Sequence, residues 1–301
     1  MSQRTVIEVD GREISISNLD KVFWPKSKTT KGETIDYYAR IAPTLIPHLA
    51  DRPLTRVRCP NGVNGQRFFE KRIPTGAPEW VRSEPVGMDR VGIIDFVVCD
   101  ERPTLVWLAQ MAALELHPSL SKVDAMDCPT TLVFDLDPGP PAGLRECCLV
   151  AQRVREMFAG IGLECFAKTS GSKGIQVYVP LNGATTYDQS KPFAQAVAQA
   201  LERAEPALVV SKMTKSLRVG KVLVDWSQNT RSKTTIAVYS LRARERPTIS
   251  TPITWEEVAA GAEGDAELAF EAADVLQRID RDGDLFAPVL ELQQELPSGK
   301  A

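Results

Sequence analysis

The sequence comprises 301 residues, of which 43% are hydrophobic and 25% are charged, and its formal net charge at pH 7 is −3. Such a chain can bury a substantial core, which excludes a disordered tail, and its slightly negative charge excludes a uniformly basic, histone-like DNA-binding protein. No apolar run reaches the roughly 18 residues of a membrane span, and no signal-peptide-like stretch follows Met1, so a cytoplasmic location without membrane partners is expected.

The N-terminal third is predicted to contain a hairpin and two helices. A short hairpin-like segment covers residues 6–16. The first helix opens at Lys31, because apolar residues recur behind it at helical spacing, and it is expected to end before Pro47. Residues 103–116 predict the second helix.

The central part of the chain predicts a sheet covered by helices. A strand begins at Thr131, and its apolar and β-branched residues continue until the prolines after Asp137 end it. The elements that follow are a helix at 144–159, strands at 164–168 and 175–180, a helix at 189–204, and strands at 221–226 and 234–239. This β-α-β-β-α-β order with short links favours a mixed or antiparallel α+β sheet over a doubly wound parallel one.

Basic residues are concentrated in two stretches, although the net charge is negative. Between Lys212 and Arg246, nine basic residues are opposed only by Asp225 and Glu245. The other stretch contains Arg52, Arg56, Arg58, Arg67, Lys71 and Arg72. Either stretch alone is equally well explained as a solvated surface, but together with nearby acidic residues they predict a track for a polyanion such as nucleic acid.

Three aspartates stand in strands whose other residues are apolar. Asp135 and Asp137 are two residues apart, so both side chains point to the same face of the sheet, with Cα atoms about 7 Å apart. Asp225 lies near the end of another strand of the same character. Burying these charges would cost several kcal/mol without a compensating cation, so the three acids predict a site for two divalent metal ions that act on a phosphoryl group.

The Phe-Asp-Leu-Asp string that contains Asp135 and Asp137 also has a phosphatase interpretation. In haloacid-dehalogenase-type phosphatases the first aspartate is a nucleophile, and a Gly-Thr pair follows the second. Here Pro138 and Gly139 follow the second aspartate, and the motif lies in the middle of the chain. These departures favour the metal site.

Further residues have the chemistry to contact a triphosphate, and each also has an ordinary structural explanation. The turn at 170–174 presents backbone N–H groups, a hydroxyl and Lys173 to a phosphate, or is a plain β-turn with a solvated lysine. His117 is either a ligand or a structural histidine. Arg242 could contact phosphate oxygens or pair with Glu245.

Taken together, these motifs resemble the polymerase domain of bacterial ligase D, within the archaeo-eukaryotic primase superfamily. The resemblance covers nearly the whole chain, through motifs at 18–25, 30–33, 68–71, 115–117, 134–139, 169–174, 224–229 and 239–244. A Lys-x-Asp-Gly ligase motif is absent, since Lys122-Val-Asp lacks the glycine. The chain is therefore not expected to seal nicks, and is either a free-standing polymerase or a fragment.

The resemblance implies a fold and a division of the chain. The fold would be α+β, a primase-type polymerase with an RRM-like catalytic sheet and a packed N-terminal α/β lobe. The N-terminal lobe at 1–125 would carry the 5′-phosphate and template contacts, and the catalytic lobe at 126–252 the metal-binding acids. An acidic C-terminal segment at 253–301 would complete one polymerase unit.

The resemblance also implies a role for each matching residue. Asp135, Asp137 and Asp225 would hold two divalent metal ions, with Mn²⁺ preferred over Mg²⁺, and Asp225 would activate the primer 3′-hydroxyl. The incoming nucleoside triphosphate, ribo- or deoxyribonucleotide, would be held by His117, Ser170, Lys173 and Arg242. The 5′-phosphate of a break would be gripped by Asn18, Lys21 and Lys31. The template contacts would be Phe68, Phe69, Lys71 and Arg218.

The implied function is metal-dependent addition of nucleotides, with ribonucleotides preferred, to 3′ ends at gaps or double-strand breaks in DNA repair. The partners would be 5′-phosphorylated DNA and a separate ligase or Ku-type end-binding protein, at the bacterial nucleoid. Two alternatives remain open: a non-catalytic module that binds DNA ends, against which the three acids argue, and the phosphatase.

Overall fold

The computed structural model describes residues 4–88 and 92–297. In chain order the first half contains β1 (Arg4–Val9), β2 (Arg12–Ser17), β3 (Val22–Trp24), β4 (Thr29–Thr30), α1 (Lys31–Leu49), β5 (Leu54–Arg58), β6 (Phe68–Glu70), β7 (Ser83–Met88), β8 (Gly92–Val97), α2 (Arg102–Gln110) and β9 (Ala113–Pro118). The second half contains β10 (Thr131–Pro138), α3 (Leu144–Gly160), β11 (Phe166–Thr169), β12 (Ile175–Pro180), α4 (Tyr187–Ala204), β13 (Val209–Val210), β14 (Val222–Asp225), β15 (Pro252–Ile253), α5 (Trp255–Glu263), α6 (Ala272–Asp282) and α7 (Pro288–Glu291).

Contacts divide the chain into two units. The first takes in the described residues up to Ser119, together with Thr234–Ser250 and Phe270–Gly283; the second takes in Leu120–Lys233, Thr251–Ala269 and the described residues from Asp284 onward. This grouping differs from the segments expected at 1–125, 126–252 and 253–301, which stay a prediction. None of the helices in the described ranges combines the length and apolar character that a membrane span needs.

The second unit contains a six-stranded sheet in the order β13-β14-β10-β12-β11-β15. All neighbouring strands are antiparallel except the β13–β14 pair. Helices α3 and α4 contact the central strand β10, whose apolar side chains are fully buried. The α+β class is confirmed, as is the predicted order of elements from the strand at Thr131 to the strand at 221–226, because short apolar, β-branched runs bounded by turn residues mark buried strands.

The first unit is built around β5, which pairs with β6, β8 and β9. The predicted hairpin at 6–16 is confirmed by the antiparallel pair β1–β2. The end predicted for α1 is wrong, because this helix continues through Pro47 to Leu49. A proline removes one backbone hydrogen bond, and this loss is offset by the fully buried face of Ile41, Leu45 and Leu49.

Two other predicted elements are corrected by the structure. Only the first part of the helix expected at 103–116 forms, because the chain turns at Ala112 with φ 59° and continues as β9, which pairs with β5. A short apolar run fits a buried strand as well as a helix, and here tertiary pairing decides. Residues 234–239 form no strand; Ala237 and Tyr239 donate backbone hydrogen bonds to Leu116 and Ser250.

Candidate active site

The three aspartates lie on one face of the sheet in the second unit. Strand β10 carries Asp135 and Asp137, and β14 ends at Asp225. The strand register places Asp135 directly opposite Asp225, while Asp137 stands opposite Leu223, two residues along. Residues two apart or directly opposite share a face. Like charges in this arrangement repel each other unless a cation lies between them.

The surroundings of Asp135 favour a bound cation. Burial, together with the negative charges of Asp137 and Asp225, raises the pKa of Asp135 to about 7. Its Oδ1 atom is buried and has no hydrogen-bond partner within the described residues. Carboxylate oxygens are the ligands that Mg²⁺ and Mn²⁺ prefer. The residues present therefore fit a divalent ion.

The Asp225 carboxylate accepts hydrogen bonds from the residues that follow it in the chain. Its Oδ1 accepts hydrogen bonds from Ser227 N and Oγ at 2.8 and 2.6 Å, and its Oδ2 accepts one from Gln228 Nε2 at 2.9 Å. Over residues 4–88 and 92–297, no three His, Cys, Asp or Glu side chains are grouped closely enough to hold a metal ion. Binding of an ion by all three aspartates would require Asp225 to exchange these hydrogen bonds.

A buried lysine that the sequence analysis gave no role extends the row of aspartates. The register places Gln176 opposite Asp135, and Lys168 opposite Gln176. Lys168 is fully buried, and its Nζ donates to Gln176 Oε1 at 2.6 Å. Because lysine only donates, Gln176 turns its amide oxygen to Lys168 and its NH₂ group to Asp135. The sequence signal that could have indicated this row is Lys168 itself, a charged residue within the strand that precedes the 170–174 turn.

The predicted turn at 170–174 joins β11 to β12. Ser170 N donates to Gly174 O at 2.9 Å, and Ser170 Oγ accepts from Ser172 N and Gly174 N at 3.3 and 3.2 Å. A Cβ at Gly174 would collide with the carbonyl oxygen of Leu136, so this loop lies directly against β10. The structure thus brings Ser170 and the exposed Lys173 to the strand that carries two of the aspartates.

His117 and Arg242 meet in the first unit through a residue that the sequence analysis did not single out. Glu115 Oε2 lies 2.9 Å from His117 Nε2, and Glu115 Oε1 accepts from Arg242 Nε at 3.2 Å. Burial alone would raise the pKa of Glu115, but the His117 hydrogen bond and the charge of Arg242 lower it to about 2. Arg242 therefore pairs with Glu115, while Glu245 pairs with Lys26.

Asn18, Lys21 and Lys31 are brought together at the start of α1. Lys31 N donates to Lys21 O, and Lys21 N donates to Asn18 O. The side-chain amine of Lys31 donates to Ser17 O at 2.9 Å, and that of Lys21 donates to Pro60 O at 2.6 Å. A cavity of about 590 Å³ opens beside them, lined by Thr5, Ile16, Ser17, Asn18, Leu19, Asp20 and Lys21.

The two phenylalanines predicted to stack on a template lie on β6 and are exposed, Phe68 by 39% and Phe69 by 62%. The next residue, Glu70, forms an ion pair with Arg58 at 2.8 Å, and Lys71 follows it directly. The Phe69 ring meets that of His117 at a centroid distance of 6.3 Å. Strand β6 therefore presents an aromatic surface held by a partly buried ion pair.

The basic stretches are only partly exposed. Arg52 and Arg56 are buried, so the expectation that they belong to a surface track for a polyanion is wrong; Arg56 instead pairs with Glu70. Arg218 ends a short 3₁₀ helix, Lys215–Arg218, in the second unit. A Cβ at Gly139 would collide with the carbonyl oxygen of Arg218, so this turn lies against the end of β10.

Comparisons with known proteins identify close relatives. The family model of the LigD primase-polymerase domain matches residues 30–286. The chain is 44% identical over 279 residues to a multifunctional non-homologous end joining protein LigD of Mycolicibacterium smegmatis, covering 92% of this chain and 36% of the relative. It is 30% identical over 286 residues to a bifunctional non-homologous end joining protein LigD of Bacillus subtilis, covering 95% of this chain and 45% of the relative.

A solved structure is similar over almost its full length. This structure is the polymerase domain from Mycobacterium tuberculosis ligase D in complex with DNA; the match has a TM-score of 0.87 and 43% identity, and covers 93% of this chain and 99% of that one. The chain spans less than half the length of the curated relatives that it matches, 36% and 45% of the two above.

Proposed function

Because this chain belongs to the LigD primase-polymerase domain family and is therefore a nucleotidyltransferase, we propose that it adds nucleotides, preferably ribonucleotides, to 3′ ends at DNA gaps or double-strand breaks in DNA repair. The observation that carries this proposal is the row of Asp225, Asp135 and Asp137 on one sheet face. Within the described chain, the buried Oδ1 of Asp135 has no hydrogen-bond partner. The DNA complex of the mycobacterial relative supports a nucleic-acid substrate.

The aspartates would hold two divalent ions, with Mn²⁺ preferred. When bound, such ions polarise the transferred phosphoryl group and stabilise the charge of the departing pyrophosphate. Asp225, at the end of β14, would accept the proton of the primer 3′-hydroxyl as its oxygen attacks the α-phosphorus. Lys168, through Gln176, would keep Asp135 turned toward the substrate face.

Other residues would bind the two substrates. The incoming triphosphate would be held by His117, Ser170, Lys173 and Arg242. Asn18, Lys21 and Lys31 would grip the 5′-phosphate beyond the gap. Phe68 and Phe69 would stack on template bases at about 1–3 kcal/mol per base without reading sequence, with Lys71 and Arg218 contacting the same strand.

Primer extension across a gapped duplex with a downstream 5′-phosphate tests the proposal. We expect Mn²⁺-dependent addition that is faster with ribo- than with deoxyribonucleoside triphosphates and is absent from the Asp135→Ala variant. Folded protein that binds the gap but adds no nucleotide would instead support an end-binding module. Phosphate release from small phosphoesters without DNA would support the phosphatase.

The preference for a 5′-phosphate over a 5′-hydroxyl is expected to fall as pH rises through about 8. Burial, followed by the positive charge of Lys21, lowers the pKa of Lys31 to about 8. The amine attracts phosphate only when protonated, below that pH, whereas the phosphate keeps its full charge above its own pKa of about 6. Fluorescence anisotropy with both gapped duplexes on either side of pH 8 measures the preference.

Two variants control this measurement. Lys31→Ala should show a weak preference at every pH, and Lys21→Ala should weaken binding to the phosphorylated gap while sparing the hydroxyl one. A wild-type preference that does not change with pH, or equal losses on both DNAs, would mean that the 5′-phosphate site lies elsewhere.

The cellular context is part of the proposal. A separate ligase and a Ku-type end-binding protein would complete repair with this chain at the nucleoid, in the bacterial cytoplasm. The relatives are non-homologous end joining proteins, which supports this assignment over gap filling in excision repair.

A further inference from the structure

We propose that Glu115 is the positioning residue that aligns His117 and Arg242 for the incoming triphosphate; this inference rests on the proposed function. Both residues donate to, or pair with, one carboxylate on β9. The guanidinium and imidazole contacts of the nucleotide would then form one assembly with a shared anchor.

The geometry uses both oxygens of Glu115. Oε2 lies 2.9 Å from His117 Nε2, while Oε1 accepts from Arg242 Nε at 3.2 Å and from Ala243 N at 2.9 Å. Glu115 is only 6% exposed, so water competes little for these contacts. A carboxylate can accept hydrogen bonds at two separate oxygens at once, whereas an amide and a hydroxyl each have only one acceptor oxygen.

The charge of Glu115 opposes its presence in an anion site. A carboxylate beside two basic residues reduces their net attraction for a triphosphate, so a contribution to nucleotide binding must be geometric. Holding a guanidinium and an imidazole in one orientation removes the entropy cost of ordering them when the nucleotide binds. Loss of Glu115 would therefore weaken nucleotide binding if it positions the pair, and strengthen binding if it acts only through its charge.

The backbone around Glu115 has its own support. Leu116 N donates to Ser240 Oγ at 2.9 Å, and Ala237 N donates to Leu116 O at 2.8 Å. These bonds join β9 to the segment that carries Arg242 without using the Glu115 side chain. A substitution of similar shape should therefore fold.

Glu115→Gln is the informative variant, because its amide has one acceptor oxygen where the carboxylate has two, so it cannot accept on both the His117 side and the Arg242 side. We expect KM for the ribonucleoside triphosphate in gapped-duplex extension to rise about tenfold, as for loss of one hydrogen bond to a charged group. The kcat should change less than KM, and the affinity for gapped DNA should not change. Asp100→Asn is the matched control: Asp100 is an acid of the same unit that pairs with Arg82 and accepts a hydrogen bond from Asp51 N.

A background without both partners tests whether Glu115 acts through them. In a His117→Ala, Arg242→Gln background, adding Glu115→Gln should leave KM where that background sets it. A lowered or unchanged KM for Glu115→Gln alone, or a full additional rise in that background, would overturn the positioning role. Thermal melting checks the fold of each variant; should Glu115→Gln not fold, Glu115→Asp, too short to reach both partners, is measured in its place.

Measurements on the wild-type protein distinguish failure of the proposed function from failure of the positioning role. If it fails to extend the primer, the proposed function fails. If it extends the primer normally and Glu115→Gln keeps or improves its KM, only the positioning role fails.

Discussion

Replacing Asp137 by asparagine is expected to slow nucleotide addition by about 1000-fold or more, because the substitution removes a charged ligand from ions worth several kcal/mol of transition-state stabilisation. Asp137 is an exposed residue at the end of β10, and its charge helps to raise the pKa of Asp135. The affinity for gapped DNA should remain, because the residues proposed to bind DNA lie elsewhere. Single-turnover extension and anisotropy measure the two quantities separately.

Thermal melting gives a test of the same variant that does not depend on activity. With a chelator present, Asp137→Asn should melt at or above the temperature of the wild type, because a repulsive charge is lost. Added Mn²⁺ should raise the melting temperature of the wild type, which binds the ion in its folded state, and raise that of the variant less. Equal shifts, or a loss of DNA affinity that matches the loss of addition, would contradict the metal-binding role.

Gly174→Ala is expected to destabilise the protein by about 3 kcal/mol, near the upper end for overpacking, and to raise KM for the nucleotide. The new methyl group would meet the backbone oxygen of Leu136, which is fixed in β10 and cannot turn away. Moving Gly174 would also break its hydrogen bonds with Ser170, on the loop proposed to hold the triphosphate. Urea unfolding gives the stability, and extension kinetics give KM.

Gly160→Ala is the matched control for this substitution. Gly160 ends α3 in the same unit, has no positive φ, and a Cβ there meets no atom within 4 Å. Its replacement should leave both stability and KM nearly unchanged. If Gly174→Ala behaved like Gly160→Ala, the loop would not be held against β10.

The sequence was sufficient to locate the aspartates because their signal is local. A charge at every second position of an apolar strand defines its own face, and Asp135 and Asp137 therefore needed no knowledge of the partner strands. Asp225 was grouped with them only because it is an acid in a similar apolar strand. The strand register then shows that it lies directly opposite Asp135. The same reasoning predicted the strands around them and the turn that begins at Ser170.

The residues that were missed depend on long-range contacts. Glu115 reaches Arg242 across 127 positions of the chain, and only the fold brings these positions together. Lys168 lies opposite Gln176 because of the register between β11 and β12, and no spacing in the sequence encodes that register. The wrong end of α1 has a similar cause, since burial against the rest of the first unit outweighed the local preference of Pro47.

The first unit is assembled from pieces far apart in the chain, and this arrangement constrains folding during synthesis. Tyr37 and Tyr38 donate their buried hydroxyls to Tyr239 O and Leu114 O, and Leu116 N donates to Ser240. When the ribosome has delivered only residue 119, the partners beyond residue 234 do not yet exist. At about 5–20 residues per second, the Tyr37 hydroxyl and Leu116 N wait several seconds or longer for Tyr239 and Ser240, whereas Leu114, the acceptor of Tyr38, is already present. The N-terminal piece therefore completes its core only after the strands from β10 to β14 have been translated, so a chain cut between the two stretches would leave both halves unfinished.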